Sequence, residues 1–164
     1  MDLVEEALKA ELPKLAIDFF VVFSRFECAL KRSGTYAIGD DNGVSPDWDK
    51  FARDLGPEFL VDVVALEIAP VLVGNPPKKQ VKLVDGMLGW KDTNAVESTS
   101  DLFLAIRRVR NNLVHGAKYQ DSGVGHAGFV EGSERDDALL SQSMAVMTFA
   151  LEVRPDIYDY FRRY

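Results

Sequence analysis

Three side chains within six residues, Arg110, Asn111 and His115, are of the types that can work on phosphate without a metal. A guanidinium presents a rigid fork of donors that matches phosphate oxygens and can stabilise charge developing on them. An imidazole titrates near neutrality, so it can move a proton to or from a reacting oxygen. Arg107, Arg108 and Lys118 add cations around this set and form a localised basic spot for RNA phosphate. Together, side chains of these types suit metal-free cleavage at a phosphodiester, with an arginine on the phosphate and a histidine transferring protons. No grouping of His, Cys and carboxylates has metal-ligand spacing, so neither a metal nor a cofactor is expected.

These residues need a helix to hold them. Leu102, Ala105, Ile106, Val109 and Leu113 define one apolar stripe, which Ser98 or Ser100 can cap and Gly116 can end. At about 100° per residue, Arg108, Asn111 and His115 fall on the outward side within about 60° of one another, whereas Arg110 lies about 140° from His115. Convergence of Arg110 on His115 therefore asks for the long arginine stem or a distorted last turn. Arg108, seven positions before His115, is the better aligned of the two. At the helix C-terminus the macrodipole favours a protonated His115, and the neighbouring arginines favour the neutral ring. The plainer reading of the same residues is a solvated helix face in which His115 bonds the last carbonyls.

The remaining elements follow from periodicity and punctuation. Pro13 to Arg32 reads as a helix with two apolar stripes, one of Leu15, Phe19, Phe23, Phe26 and Leu30, the other of Ile17, Phe20, Val21, Ser24 and Cys28. Such a helix packs between layers or against a second subunit. Glu27 falls between the stripes, where a carboxylate wants a partner, and an arginine of the motif helix is the candidate. Arg25 and Glu27 are thus read as orienters behind the site or, more plainly, as an ion pair within the bundle and a flanking residue. A loop from Ser33 to Val44 leads to Ser45 as N-cap of a short helix from Pro46 to Leu55. Glu58 to Leu72 reads as a buried helix built on Phe59, Val63, Leu66 and Ile68, and Lys78 to Lys82 as a basic surface run. The stretch from Val81 to Val96 is ambiguous, anchored by Leu88 and Trp90. After a glycine-rich loop or small hairpin over 117–132, with His126 exposed on it, Ser133-x-x-Asp136 opens a last helix through Leu139, Leu140, Ala145, Met147 and Leu151, stopped near Pro155. The expectation is an all-α, up-and-down helical bundle of four to six helices, forming a single domain over 1–164.

Composition narrows the class. The 164 residues are 47% hydrophobic and 27% charged, an ordinary globular balance with enough chain to bury a core. The single Cys28 sits in an apolar helix pattern and fits a reducing compartment. No apolar run is long enough for a membrane span, and the start Met-Asp-Leu-Val-Glu-Glu is too acidic for a signal peptide, so the cytoplasm is the expected location. A net charge of -7 argues against a surface that coats nucleic acid broadly.

Arg110 to His115 reads Arg-x4-His, with Asn111 directly after the arginine and Gly116 directly after the histidine. The stretch resembles the Arg-x4–6-His signature of the HEPN ribonuclease family, and Val22-Phe-Ser-Arg-Phe-Glu-Cys-Ala-Leu-Lys-Arg32 looks like the opening helix of a HEPN subfamily of plasmid and phage-defence loci. In that family a polar residue follows the arginine, which favours Arg110 over Arg108 as the motif arginine. The resemblance implies attack by the ribose 2′-hydroxyl on the adjacent phosphate, a cyclic phosphate product and a homodimer that brings two motifs into one composite cleft. It also implies a toxin, defence or stress role with an antitoxin or other partner protein. Toxins of the nucleotidyltransferase-paired group resemble Arg-x4-His-x-Tyr, but position 117 is alanine here and Tyr119 is the nearest tyrosine, so control by tyrosine modification is not expected. Two other readings stay open, a non-catalytic HEPN module that binds a protein or nucleotide and a helical bundle unrelated to HEPN.

Overall fold

A computed structural model gives the fold of residues 3–8, 12–115 and 134–163. Its central element is helix α2 (Lys14–Arg32), preceded by α1 (Leu3–Leu8). Phe19, Phe23, Phe26 and Leu30 line the buried side of α2, while Ile17, Phe20 and Val21 on the other stripe are about half exposed. Helices α7 (Glu134–Val153) and α8 (Pro155–Arg162) pack on α2, and α3 (Trp48–Leu55) packs on α6 (Thr99–His115). Short helices α4 (Pro57–Ala65) and α5 (Pro70–Gly74) complete the layer around α6 and α7.

The expectation of an all-α bundle of four to six helices does not hold. The described residues contain eight helices and two antiparallel hairpins, β1 (Ala37–Asp40) with β2 (Gly43–Pro46), and β3 (Lys79–Lys82) with β4 (Leu88–Lys91). Turn chemistry explains both. Asp41-Asn42 closes the first hairpin, and the Asp40 carboxylate accepts the Asn42 backbone N–H at 2.8 Å. Gly39 lies there at φ 152°, and a Cβ on it would stand 1.9 Å from the Gly43 carbonyl oxygen. The second turns through Asp85-Gly86, where Gly86 takes φ 85° and its N–H bonds the Leu83 carbonyl at 2.9 Å.

Several boundaries move for related reasons. Ser45 and Pro46 end β2, so the N-cap of α3 is Asp47, whose carboxylate accepts the Lys50 N–H at 2.9 Å. Helix α4 stops at Ala65, Leu66 is exposed, and Glu67 turns the chain at φ 52°. The helix expected to stop near Pro155 ends at Val153 but is not the last, because Pro155 opens α8, where its missing N–H costs nothing. Leu88 is exposed and Trp90 half-buried, so Leu88 does not anchor β4 to the core. Ser98, rather than Ser100, caps α6, its hydroxyl accepting the Asp101 N–H at 3.0 Å.

The core is a run of touching aromatic rings. Trp48 stacks on Phe26 at 5.3 Å between centroids, and Phe103 meets Trp48, Phe51 and Phe59 within 5.8 Å. Polar bonds pin the connections: Gln142 accepts the backbone N–H groups of Val71 and Leu72 at 2.9 and 3.0 Å, and Arg135 donates to the carbonyls of Asn75 and Pro76.

A charged cluster joins α3 to the α7–α8 corner. The buried Tyr36 donates to Asp54 at 2.9 Å and accepts from Arg154, which forks onto Asp156. Lys50 also reaches Asp54, at 2.7 Å. Donation from Lys50, then Tyr36, holds the Asp54 carboxyl below its ordinary pKa, and donation from Arg154 does the same for Asp156. Both carboxylates have depressed folded pKa values, so their stabilisation is complete above the ordinary value of 3.8 and is lost as pH falls through the lower folded values. Asp156→Asn should therefore lower the melting temperature at neutral pH and flatten its decline in acid, which thermal melts across pH will read. An unchanged acid limb would show that the cluster does not couple folding to protonation. Burial raises the Tyr36 pKa above 10.0, and the same reasoning places its loss of stabilisation in alkali, as pH rises through the folded value.

Candidate active site

The motif helix presents its arginines in different directions. Arg107 and Arg110 face α3 and α2, while Arg108 faces the β3–β4 hairpin. Arg110 lies with its guanidinium carbon 5.2 Å from the ring centre of Phe23, and its terminal nitrogen stands 3.9 Å from the Glu27 carboxylate. The same Glu27 oxygen accepts the indole N–H of Trp48 at 3.0 Å. Glu27 thus meets an arginine of the motif helix and is itself held by the core aromatic. The Arg110 Nε is buried with no hydrogen-bond partner in the described residues, while its side chain keeps 31% exposure. Both contacts thus fall on the guanidinium rather than on the stem, and the side chain stays part-exposed.

Contact at 3.9 Å between two part-exposed groups is a weak ion pair, worth about 0.2–1 kcal/mol, and the ring contact adds a similar about 0.5–1. Neither neutralises Arg110 outright. Arg107 makes a comparable contact with Asp49 at 3.5 Å. Trp48→Phe keeps the stack and removes the donor to Glu27, so a loss of about 1 kcal/mol in stability is expected from denaturant melts. A loss near zero would mean that the indole does not fix Glu27.

Asn111 is exposed, but its neighbour Asn112 is buried and donates to the Lys78 carbonyl at 2.8 Å, so the two asparagines do not form one solvated face. Asn112 instead fastens the chain before β3 to α6. Arg25 stands apart from this set. It is about 200° around α2 from Glu27 by helical register, and its guanidinium covers the Phe161 ring of α8 at 5.4 Å. An orienting role for Arg25 on Arg110 is therefore not supported by position. Sequence reasoning missed Trp48 as a partner of Glu27, although a buried indole N–H usually needs a hydrogen-bond acceptor.

His115 is the last residue of α6. Its side chain lies outside the described residues, as do Gly116, Lys118, Tyr119, His126, the loop over 117–132 and the Ser133 cap. Among the described residues no group of three or more His, Cys, Asp or Glu stands together as a metal site. No helix among them is long and apolar enough to cross a membrane. Comparison of the chain with protein-family models, curated proteins and solved structures finds no match in any of the three.

Proposed function

We propose that the protein is a metal-independent endoribonuclease of HEPN type. The observation that carries the reading is Arg110, its guanidinium set against Phe23 and Glu27 while its side chain stays part-exposed, about a turn and a half before His115 on the same helix. In the proposed mechanism Arg110 binds the scissile phosphate and stabilises the charge that builds on it. His115 moves the proton of the attacking 2′-hydroxyl or of the leaving 5′-oxygen, and Asn111 orients one of these groups. Arg107, Arg108 and Lys118 hold flanking phosphates. Glu27 keeps Arg110 in place and takes no proton.

A homodimer belongs to this reading. Phe20 and Ser24 sit beside Glu27 in the helical register of α2, so the half-exposed stripe of Ile17, Phe20 and Val21 borders Arg110. A second copy laid on that stripe would cover apolar surface and bring its own Arg110 close to the first. Mass in solution tests this: a dimer that Phe20→Glu converts to monomer is expected, and a strictly monomeric wild type would remove the composite cleft. The cytoplasm and a toxin, defence or stress setting, with an antitoxin or partner protein, complete the proposal. The deciding experiment is RNA cleavage in EDTA by the wild type, Arg110→Ala and His115→Ala.

A further inference from the structure

A groove of about 370 Å³ opens between the β3–β4 hairpin, the chain that follows β4 and the outer face of α6. Lys79 and Lys91 line one wall and Arg108 the other. The two lysines are direct cross-strand partners in the hairpin register. Like charges placed directly opposite one another destabilise a strand pair, so this arrangement carries a cost with no structural return. Among the described residues, neither lysine nor Arg108 has a carboxylate partner. The groove also holds two carboxylates: Asp92 pairs with Lys78 at 3.5 Å, while the Asp101 carboxylate accepts the Glu97 backbone N–H at 3.2 Å and keeps its charge. Thr93 donates its hydroxyl to the Pro77 carbonyl at 3.0 Å.

Three cations against the one carboxylate of Asp101 leave a positive excess in one concave site of a chain of net charge -7. Such a site recruits an anion, and the volume exceeds what a single inorganic ion fills. We propose that this groove binds the phosphates of a single-stranded polynucleotide, with Lys79 and Lys91 as point charges and Arg108 as the forked donor. That the polynucleotide is RNA rests on the function proposed above. Arg108 precedes position 115 by seven residues on nearly the same helical stripe, about 10 Å along the axis, so a strand seated in the groove can continue along α6 toward the reaction site.

The test is the binding of a labelled single-stranded RNA across a salt series, in an Arg110→Ala/His115→Ala background that prevents cleavage. Each phosphate contact contributes about 0.7 to the slope of log affinity against log salt for single strands. Lys79→Gln/Lys91→Gln should lower that slope by about 1.4, and Arg108→Gln by about 0.7. Lys14→Gln, an exposed cation on α2, should leave it unchanged. The lysine double variant should melt no lower than its parent, because it removes a repulsion; a purely structural role would lower the melt. Unchanged slopes in the groove variants, or no RNA binding at all, overturn the proposal, as does AMP bound as tightly as RNA and displaced by the same substitutions. Slopes that fall while Arg110→Ala and His115→Ala still cleave as wild type keep the groove and remove the catalytic reading. Lost cleavage with unchanged groove slopes does the reverse.

Discussion

Replacing His115 by alanine is expected to lower RNA cleavage in EDTA by about 10²–10⁴-fold, the usual contribution of a positioned general acid or base. Arg110→Ala should lose about 10²–10³-fold, comparable with removing one donor that stabilises transition-state charge. The double variant should be little worse than His115→Ala, since groups that act together in one step are not additive. Arg108→Ala separates the two candidate arginines. It faces the hairpin groove rather than the Glu27 side of α6, so its loss should weaken substrate affinity and leave kcat nearly intact. A kcat collapse in Arg108→Ala with Arg110→Ala near wild type would transfer the motif role to Arg108. Equal cleavage by wild type, Arg110→Ala and His115→Ala would end the ribonuclease assignment.

The helical half of the fold was legible because its signals are long. The stripes of α2 and α6 repeat over many turns, and Phe19, Phe23, Phe26, Leu102, Ile106 and Val109 are buried where periodicity puts them. The hairpins were not read, because four-residue strands carry almost no period and their evidence lies in the turns. Asp40-Asp41-Asn42-Gly43 and Asp85-Gly86 hold that evidence, but the composition of the first fits a loop equally well and the second lies in a stretch without clear periodicity. Overlooking β3 and β4 also hid what the basic run does. Lys79 is half of a cation pair only when Lys91 is known to stand across from it. At the candidate site, the sequence pointed from Glu27 to an arginine of the motif helix, because a carboxylate between two apolar stripes has few other partners. Which arginine it meets depends on the rotation of α6 against α2, and that rotation is set by Phe103 and Trp48 packing, not by local spacing.

Phe103→Ala should be the most damaging substitution in the core, costing about 3–5 kcal/mol. The side chain is 1% exposed and touches the rings of Trp48, Phe51 and Phe59, so it joins three elements of the aromatic run at once. Rings already packed against one another cannot collapse into the space it leaves, which sets the cost toward the cavity end of the range. Against a typical net stability of about 5–15 kcal/mol the loss is severe, and for a chain of this size it corresponds to a fall in melting temperature on the order of 10 °C. Phe103→Leu should recover part of it by refilling the volume, whereas Val114→Ala, exposed near the end of the same helix, should stay within about 0.5 kcal/mol. A Phe103→Ala cost below about 1 kcal/mol in denaturant melts would show that the aromatic run does not hold α6 to α3. Phe103 lies one turn before Arg107 and two before Arg110, so loosening it also frees the rotation that aims Arg110 at Glu27. At a temperature where Phe103→Ala is still folded, its cleavage should therefore fall by much less than that of Arg110→Ala. It disturbs the aim of the guanidinium and removes none of the groups that the proposed mechanism places on phosphate.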